Sequence, residues 1–121
     1  MSIRIVIVDD HAVLREGLKV ILENHGMSVV GEAENGAEAM QVARKTRPQV
    51  VVMDLAMPVM NGIEAATAIR QESGVPSILL TMHTEEQHVL RAFRSGIAGY
   101  VLKSNASSEL LQAIKAVAGG N

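Results

Sequence analysis

Cysteine is absent from the 121 residues, which removes disulfide cross-links, thiolate metal sites and thiol nucleophiles. Tryptophan is absent too, and Phe93 and Tyr100 are the only aromatic residues. The core must therefore be built from Val, Ile, Leu, Ala and Met, and the stacking platforms that hold single-stranded nucleic acid are missing. Positive charge is not in excess: 11 basic against 13 acidic residues leave a formal net charge of −2, with no basic stripe for a phosphate backbone. The longest apolar runs, Ile5–Val8 and Val50–Met53, fall far short of the ~20 residues of a membrane span. Met1-Ser2-Ile3-Arg4 opens no secretory leader, because the run behind it ends at Asp9-Asp10. What is present, 48% apolar and 20% charged residues, is the composition of one packed globular domain. A cytoplasmic protein with no membrane attachment is the expectation.

Two patterns alternate along the chain. Short runs rich in β-branched residues predict strands at Ile3–Val8, Met27–Ala33, Val50–Leu55, Ser77–Thr81 and Gly99–Lys103. The first and third are almost continuously apolar, as in strands of a parallel sheet covered on both faces. Between them lie helical stripes: Leu14, Leu18, Ile21 and Leu22; Ala37, Met40 and Ala43; Ile63, Ala66 and Ile69; Val89, Ala92 and Phe93; and Leu110, Ile114 and Val117. Asn61–Glu64 and Thr84–Gln87 have the spacing of capping boxes, and Gly26, Gly74, Gly96 and Gly119 follow the helices. Five repetitions of strand then helix predict a single doubly wound α/β domain, a five-stranded parallel sheet with helices on both faces.

In such a sheet, ligands bind beyond the carboxyl ends of the strands, near the point where the strand order reverses. The residues at those ends are Asp9 and Asp10, then Asp54, Thr81 and Lys103. Each has an ordinary reading: Asp10 as a helix cap, Asp54 as a turn residue before Pro58, Thr81 as a half-buried strand residue, Lys103 as a solvated lysine. Their conjunction outweighs those readings. Asp54 interrupts an apolar run, which is costly unless its charge is paired or holds a metal. Asp9, Asp10 and Asp54 carry −3 when ionised and Lys103 returns +1, a balance that one divalent cation cancels. Oxygen-only ligands favour Mg²⁺, with Mn²⁺ or Ca²⁺ as substitutes. Mg²⁺ in turn leaves coordination positions for phosphate oxygens.

These residues match a family. Ile5-Val6-Ile7-Val8-Asp9-Asp10-His11, Asp54–Gly62, Leu80-Thr81-Met82-His83 and Gly96–Lys103, in that order and spacing, resemble the receiver (response-regulator) domain of two-component signalling over essentially the whole chain. Asp9-Asp10-His11 with Gly17-Leu18, and Gly99-Tyr100-Val101-Leu102-Lys103, are most similar to the NarL/LuxR-type branch of transcriptional regulators. The resemblance implies a flavodoxin-like sheet of order 2-1-3-4-5 and a receiver domain over residues 1–121. It further implies a helix-turn-helix DNA-binding domain in a longer parent chain, so that DNA is reached only through that missing domain.

Carried over residue by residue, the resemblance implies that Asp54 accepts a phosphoryl group from a sensor histidine kinase. Asp10, Asp54 and the backbone carbonyl of Ala56 would ligate Mg²⁺, and Asp9 would act on it mainly through water. Lys103 would pair with the Asp54 carboxylate and then with the phosphoryl oxygens, Thr81 would donate its hydroxyl to them, and Tyr100 would change rotamer. The chain is then not an enzyme but a phosphoacceptor that assists its own phosphorylation and dephosphorylation; a homodimer is a further option. Ser104 follows Lys103 where many receivers have proline, and Ala56 and His83 stand two residues beyond Asp54 and Thr81.

The remaining features carry less. His11, His25, His83 and His88 lack the spacing of a zinc site and are expected as exposed or loop histidines. Met40, Met53, Met57, Met60 and Met82 are expected to fill gaps in an aromatic-poor core. Four alternatives remain: a stand-alone receiver acting by protein–protein interaction or phosphorelay, a metal-dependent phosphohydrolase, a nucleotide or flavin binder, and an interaction module that keeps the fold without phosphorylation. The intact set of Asp9, Asp10, Asp54, Thr81 and Lys103 speaks against the last. Asp9-Asp10-His11 sets the second acid off the Asp-x-Asp spacing of aspartate-nucleophile hydrolases. No glycine-rich phosphate loop follows the first strand.

Overall fold

The computed structural model describes residues 2–55, 61–81, 97–103 and 106–119. Along them run β1 (Arg4–Val8), α1 (Ala12–Asn24), β2 (Ser28–Ala33), α2 (Gly36–Thr46), β3 (Val50–Asp54), α3 (Gly62–Ser73), β4 (Ser77–Thr81), β5 (Gly99–Leu102) and α4 (Ala106–Ala118). The strands form one parallel sheet of order β2-β1-β3-β4-β5, as expected. The stripe at Val89, Ala92 and Phe93, and the capping box at Thr84–Gln87, lie outside the described residues.

The continuous apolar runs have the cause inferred from them. Successive strand residues face opposite sides of a sheet, so Ile5 and Ile7 join one buried cluster while Val6 and Val8 join another. The first cluster packs under Leu18 and Leu22 of α1 and Leu110 and Ile114 of α4. The second packs under Ala39 and Ala43 of α2 and Ile63, Ala66 and Ile69 of α3. Among the described residues, the buried hydrophobics of this core are all Val, Ile, Leu, Ala or Met. Truncating Leu22, which is fully buried, to Ala costs about 2–5 kcal/mol in such a setting. β1, β3 and β4 are buried along their apolar lengths, whereas the edge strands β2 and β5 are half-covered because each has one neighbour.

Four boundaries differ from expectation by a residue, the first being β1, which starts at Arg4 rather than Ile3. The Met27 N–H is taken by the Leu22 carbonyl at the end of α1, so β2 starts at Ser28. Leu55 still donates to Leu80, but its carbonyl accepts from Gly62 as the chain turns, and β3 ends at Asp54. Lys103 stands just past β5. In α2 Ala43 is buried and Met40 is half-buried against the core as expected, but Ala37 is exposed and Gly36 and Ala39 are buried in its place. Asn61 and, unanticipated, Asn35 cap α3 and α2 by accepting from the backbone N–H three residues on. Gly74 ends α3 at φ 75, and Gly26 has φ 80. α2 ends without glycine, on Arg47 at φ 48.

Candidate functional site

Strand order and register decide what meets at the carboxyl edge. β1 pairs with β2 on one side and β3 on the other, so the strand order reverses around it. The crevice this opens lies between the ends of β1 and β3. The row Val8–Met53–Leu79–Tyr100 runs straight across four strands. Asp9 and Asp54, one residue further along, therefore stand side by side. Thr81 is paired with Leu102, which brings Lys103 to the same rim.

The side chains close the set. Lys103 Nζ lies 3.3 Å from Asp54 Oδ1 and 3.5 Å from Asp9 Oδ2. Asp9, Asp54 and Thr81 are buried, and the Lys103 side chain is only 18% exposed, which overturns the reading of a solvated lysine and of a half-buried threonine. Asp10 is exposed at the mouth. It does not cap α1: the capping position is His11, and no side chain bonds there. The backbone N–H of His11 donates to Asp9 Oδ1 at 2.8 Å, and Arg15 Nη1 donates to the Asp9 carbonyl at 2.6 Å. Arg15 also reaches Glu32 of β2 at 3.2 Å, so the acidic loop is anchored from α1 and from the neighbouring strand.

The donor set fits a divalent cation. One ligand atom each from Asp9, Asp10, His11 and Asp54 lie within 4.8 Å of one another. Asp9 Oδ2 is buried with no hydrogen-bond partner, and a buried carboxylate oxygen without one is expensive unless a charge faces it. Lys103 supplies part of that charge and a cation would supply the rest. The sequence reading omitted His11. The available signal was its position directly after two acids at a strand end. Ala56 lies outside the described residues, as do Pro58, Met57, Met60, Met82, His83, His88 and Ser104. Tyr100 is half-buried and packs against the α2/α3 face of the core, beside its row neighbour Leu79. Thr81 is two residues on from Leu79, so it faces the same side of the sheet as Tyr100. Among the described residues no helix is long and apolar enough to cross a membrane.

Residues 5–115 match the response regulator receiver domain family. The transcriptional regulatory protein YdfI of Bacillus subtilis is 40% identical over 119 residues, covering 98% of this chain and 56% of that protein. The response regulator UvrY of Escherichia coli is 40% identical over 120 residues, covering 98% of this chain and 55% of its own length. A two-component response regulator of the LuxR family from an Aurantimonas species superposes with a TM-score of 0.94 at 42% identity, over 100% of this chain and 88% of that one. The chain thus spans a little over half the length of these two curated relatives.

Proposed function

We propose that this chain, which belongs to the response regulator receiver domain family, is a switch set by phosphorylation of Asp54. The carrying observation is the buried Asp54 carboxylate 3.3 Å from the Lys103 ammonium, at the mouth shared with Asp9 and Asp10. An Asp54 oxygen attacks the phosphorus of a phosphohistidine on a sensor histidine kinase. The new P–O bond forms as the P–N bond breaks, and the electron pair leaves with the imidazole. Phosphoryl transfer asks little of the protein beyond positioning and neutralisation of charge. Lys103 would follow the negative charge from carboxylate to phosphoryl oxygens, and the Thr81 hydroxyl would donate to them.

Asp9, Asp10 and Asp54 would hold Mg²⁺, with the Ala56 carbonyl as a further ligand; Mn²⁺ or Ca²⁺ are substitutes. Such a cation supplies neutralisation of the acidic cluster and of the incoming oxygens. The same residues that promote transfer would expose the acyl phosphate to hydrolysis, so the domain assists both directions of its own signal.

Two charge-assisted bonds, from Lys103 and Thr81, contribute about 1.5–3 kcal/mol each. Moving a two-state equilibrium from 1:99 to 99:1 needs about 5.5 kcal/mol, so the two contacts suffice near their upper range. Thr81 drawn toward the phosphoryl group vacates space on the face it shares with Tyr100. Tyr100 then turns inward and changes the surface around β5. In the parent chain that change would control a DNA-binding domain beyond residue 121 and so transcription in the cytoplasm. The family match favours this over the phosphohydrolase alternative.

The test is intact-mass spectrometry after incubation with Mg²⁺ and a small acyl-phosphate donor. Wild type should gain one phosphoryl group and Asp54→Asn none. Equal labelling of both, or none of wild type, refutes the assignment.

A further inference from the structure

His11 is a donor that the phosphorylation switch leaves unused. Its ring turns back over the acidic pair: Nδ1 lies 3.1 Å from Asp9 Oδ1 and 3.1 Å from Asp10 Oδ1, while the side chain as a whole is 68% exposed. The His11 backbone is held against the same Asp9 oxygen by its N–H, so the ring starts beside the acidic pair. Asp9 Oδ2 is buried without a hydrogen-bond partner and faces the Lys103 ammonium at 3.5 Å, so one cation is shared between Asp9 and Asp54 and the three-carboxylate pocket keeps room for another.

Octahedral ligands about 2.1 Å from an ion stand about 3.0 Å apart when adjacent and about 4.2 Å apart when opposite. The imidazole contacts are a hydrogen bond to Asp9 and an ion-pair contact to Asp10. Their common length of 3.1 Å matches adjacent edges of such a shell, so a cation could replace the shared proton with little movement. The 4.8 Å limit on the four donors lets Asp54 join the same shell with small adjustment. Carboxylates alone suit hard cations. An imidazole nitrogen adds a ligand that Ni²⁺, Co²⁺ and Zn²⁺ prefer and that Mg²⁺ gains little from.

We propose that His11 supplies a nitrogen ligand to this pocket and sets its cation preference toward borderline transition metals. The inference rests on the pocket being a cation site, and it adds a specificity-determining residue to that site. Because its side chain is mostly exposed, removing the ring leaves the core intact.

The experiment is calorimetric titration of the chain with Mg²⁺, Mn²⁺, Co²⁺ and Ni²⁺ in turn, in wild type, His11→Ala and the control His25→Ala at the far end of α1. His11→Ala should lose about ten- to hundredfold in Ni²⁺ and Co²⁺ affinity, the range typical even of removing a group behind a ligand, and stay within about twofold for Mg²⁺. The visible absorption of the Co²⁺ complex should shift in His11→Ala and not in His25→Ala. A uniform loss for all four cations, or unchanged Ni²⁺ affinity with Mg²⁺ still bound, overturns the role of His11 alone. Absence of Mg²⁺ binding in wild type overturns the pocket as well.

Discussion

A β-carbon on Gly62 would stand 2.5 Å from the backbone carbonyl oxygen of Asp54. The first turn of α3 is thus pressed against the end of the strand that carries the phosphoacceptor candidate, and the Gly62 N–H donates to the Leu55 carbonyl at 2.9 Å. The obstacle is backbone, not the far end of a flexible side chain. Gly62→Ala is expected to cost about 1–3 kcal/mol, as for overpacking elsewhere, despite the better helix propensity of alanine. Urea unfolding should show a lower midpoint at unchanged slope, and labelling of Asp54 should slow. A midpoint at or above that of wild type contradicts this account of the contact.

Lys103 faces Asp9 and Asp54 together, at 3.5 and 3.3 Å. Lys103→Met leaves two buried carboxylates without its ammonium, and breaking a buried pair on one side costs about 3–5 kcal/mol; the partial exposure of Lys103 places the loss near the lower figure. Added Mg²⁺ then has more repulsion to relieve. Thermal melts should show a larger Mg²⁺-induced rise in Tm for the variant than for wild type, and equal rises would argue against a shared charge balance.

Arg15 ties the acidic loop to α1 and to β2. Arg15→Leu should lose about 1.5–3 kcal/mol, the range for hydrogen bonds to charged groups. Arg15→Lys should recover only part, since an ammonium lacks the guanidinium fork. Mg²⁺ titration should show both variants binding more weakly than wild type. If stability and cation affinity are untouched, the arm has no positioning role.

Val13 and Val20 are seven residues apart on α1, 87% and 54% exposed, and Val13 lies two residues beyond His11 at the mouth of the site. On the proposed function, a phosphodonor domain presenting its histidine to Asp54 would approach across this end of α1. Val13→Asp with Val20→Asp should leave stability within about 0.5 kcal/mol per site. Labelling by a small phosphodonor should be unchanged while transfer from the cognate kinase falls at least tenfold. Parallel loss with both donors would mean that the two valines support the chemistry itself.

Much of the site was legible before folding because strand ends are punctuated. Asp9, Asp10, Asp54, Thr81 and Lys103 each stand where an apolar run stops, and a doubly wound sheet gathers such ends at one edge. The burial of Thr81 and the pairing of Lys103 with Asp9 as well as Asp54 were not legible, since both depend on register between strands distant in sequence. Ala37 misled for a related reason: alanine favours neither face, and the tight packing of α2 against the sheet chose Ala39 instead.

The order of apolar and polar residues alone determined that this chain forms covered parallel strands separated by amphipathic helices, because periods of two and of about 3.6 leave an amphipathic chain few other ways to bury its apolar side chains. It also determined which polar groups stand at the strand ends. Tertiary structure decided the distances among them. The His11 backbone was held against Asp9 by a hydrogen bond within the loop, and Lys103 was brought to Asp9 across β1, β3, β4 and β5 by their registers. A coordination shell is defined to tenths of an ångström, and only the packed sheet holds residues 94 positions apart to that tolerance.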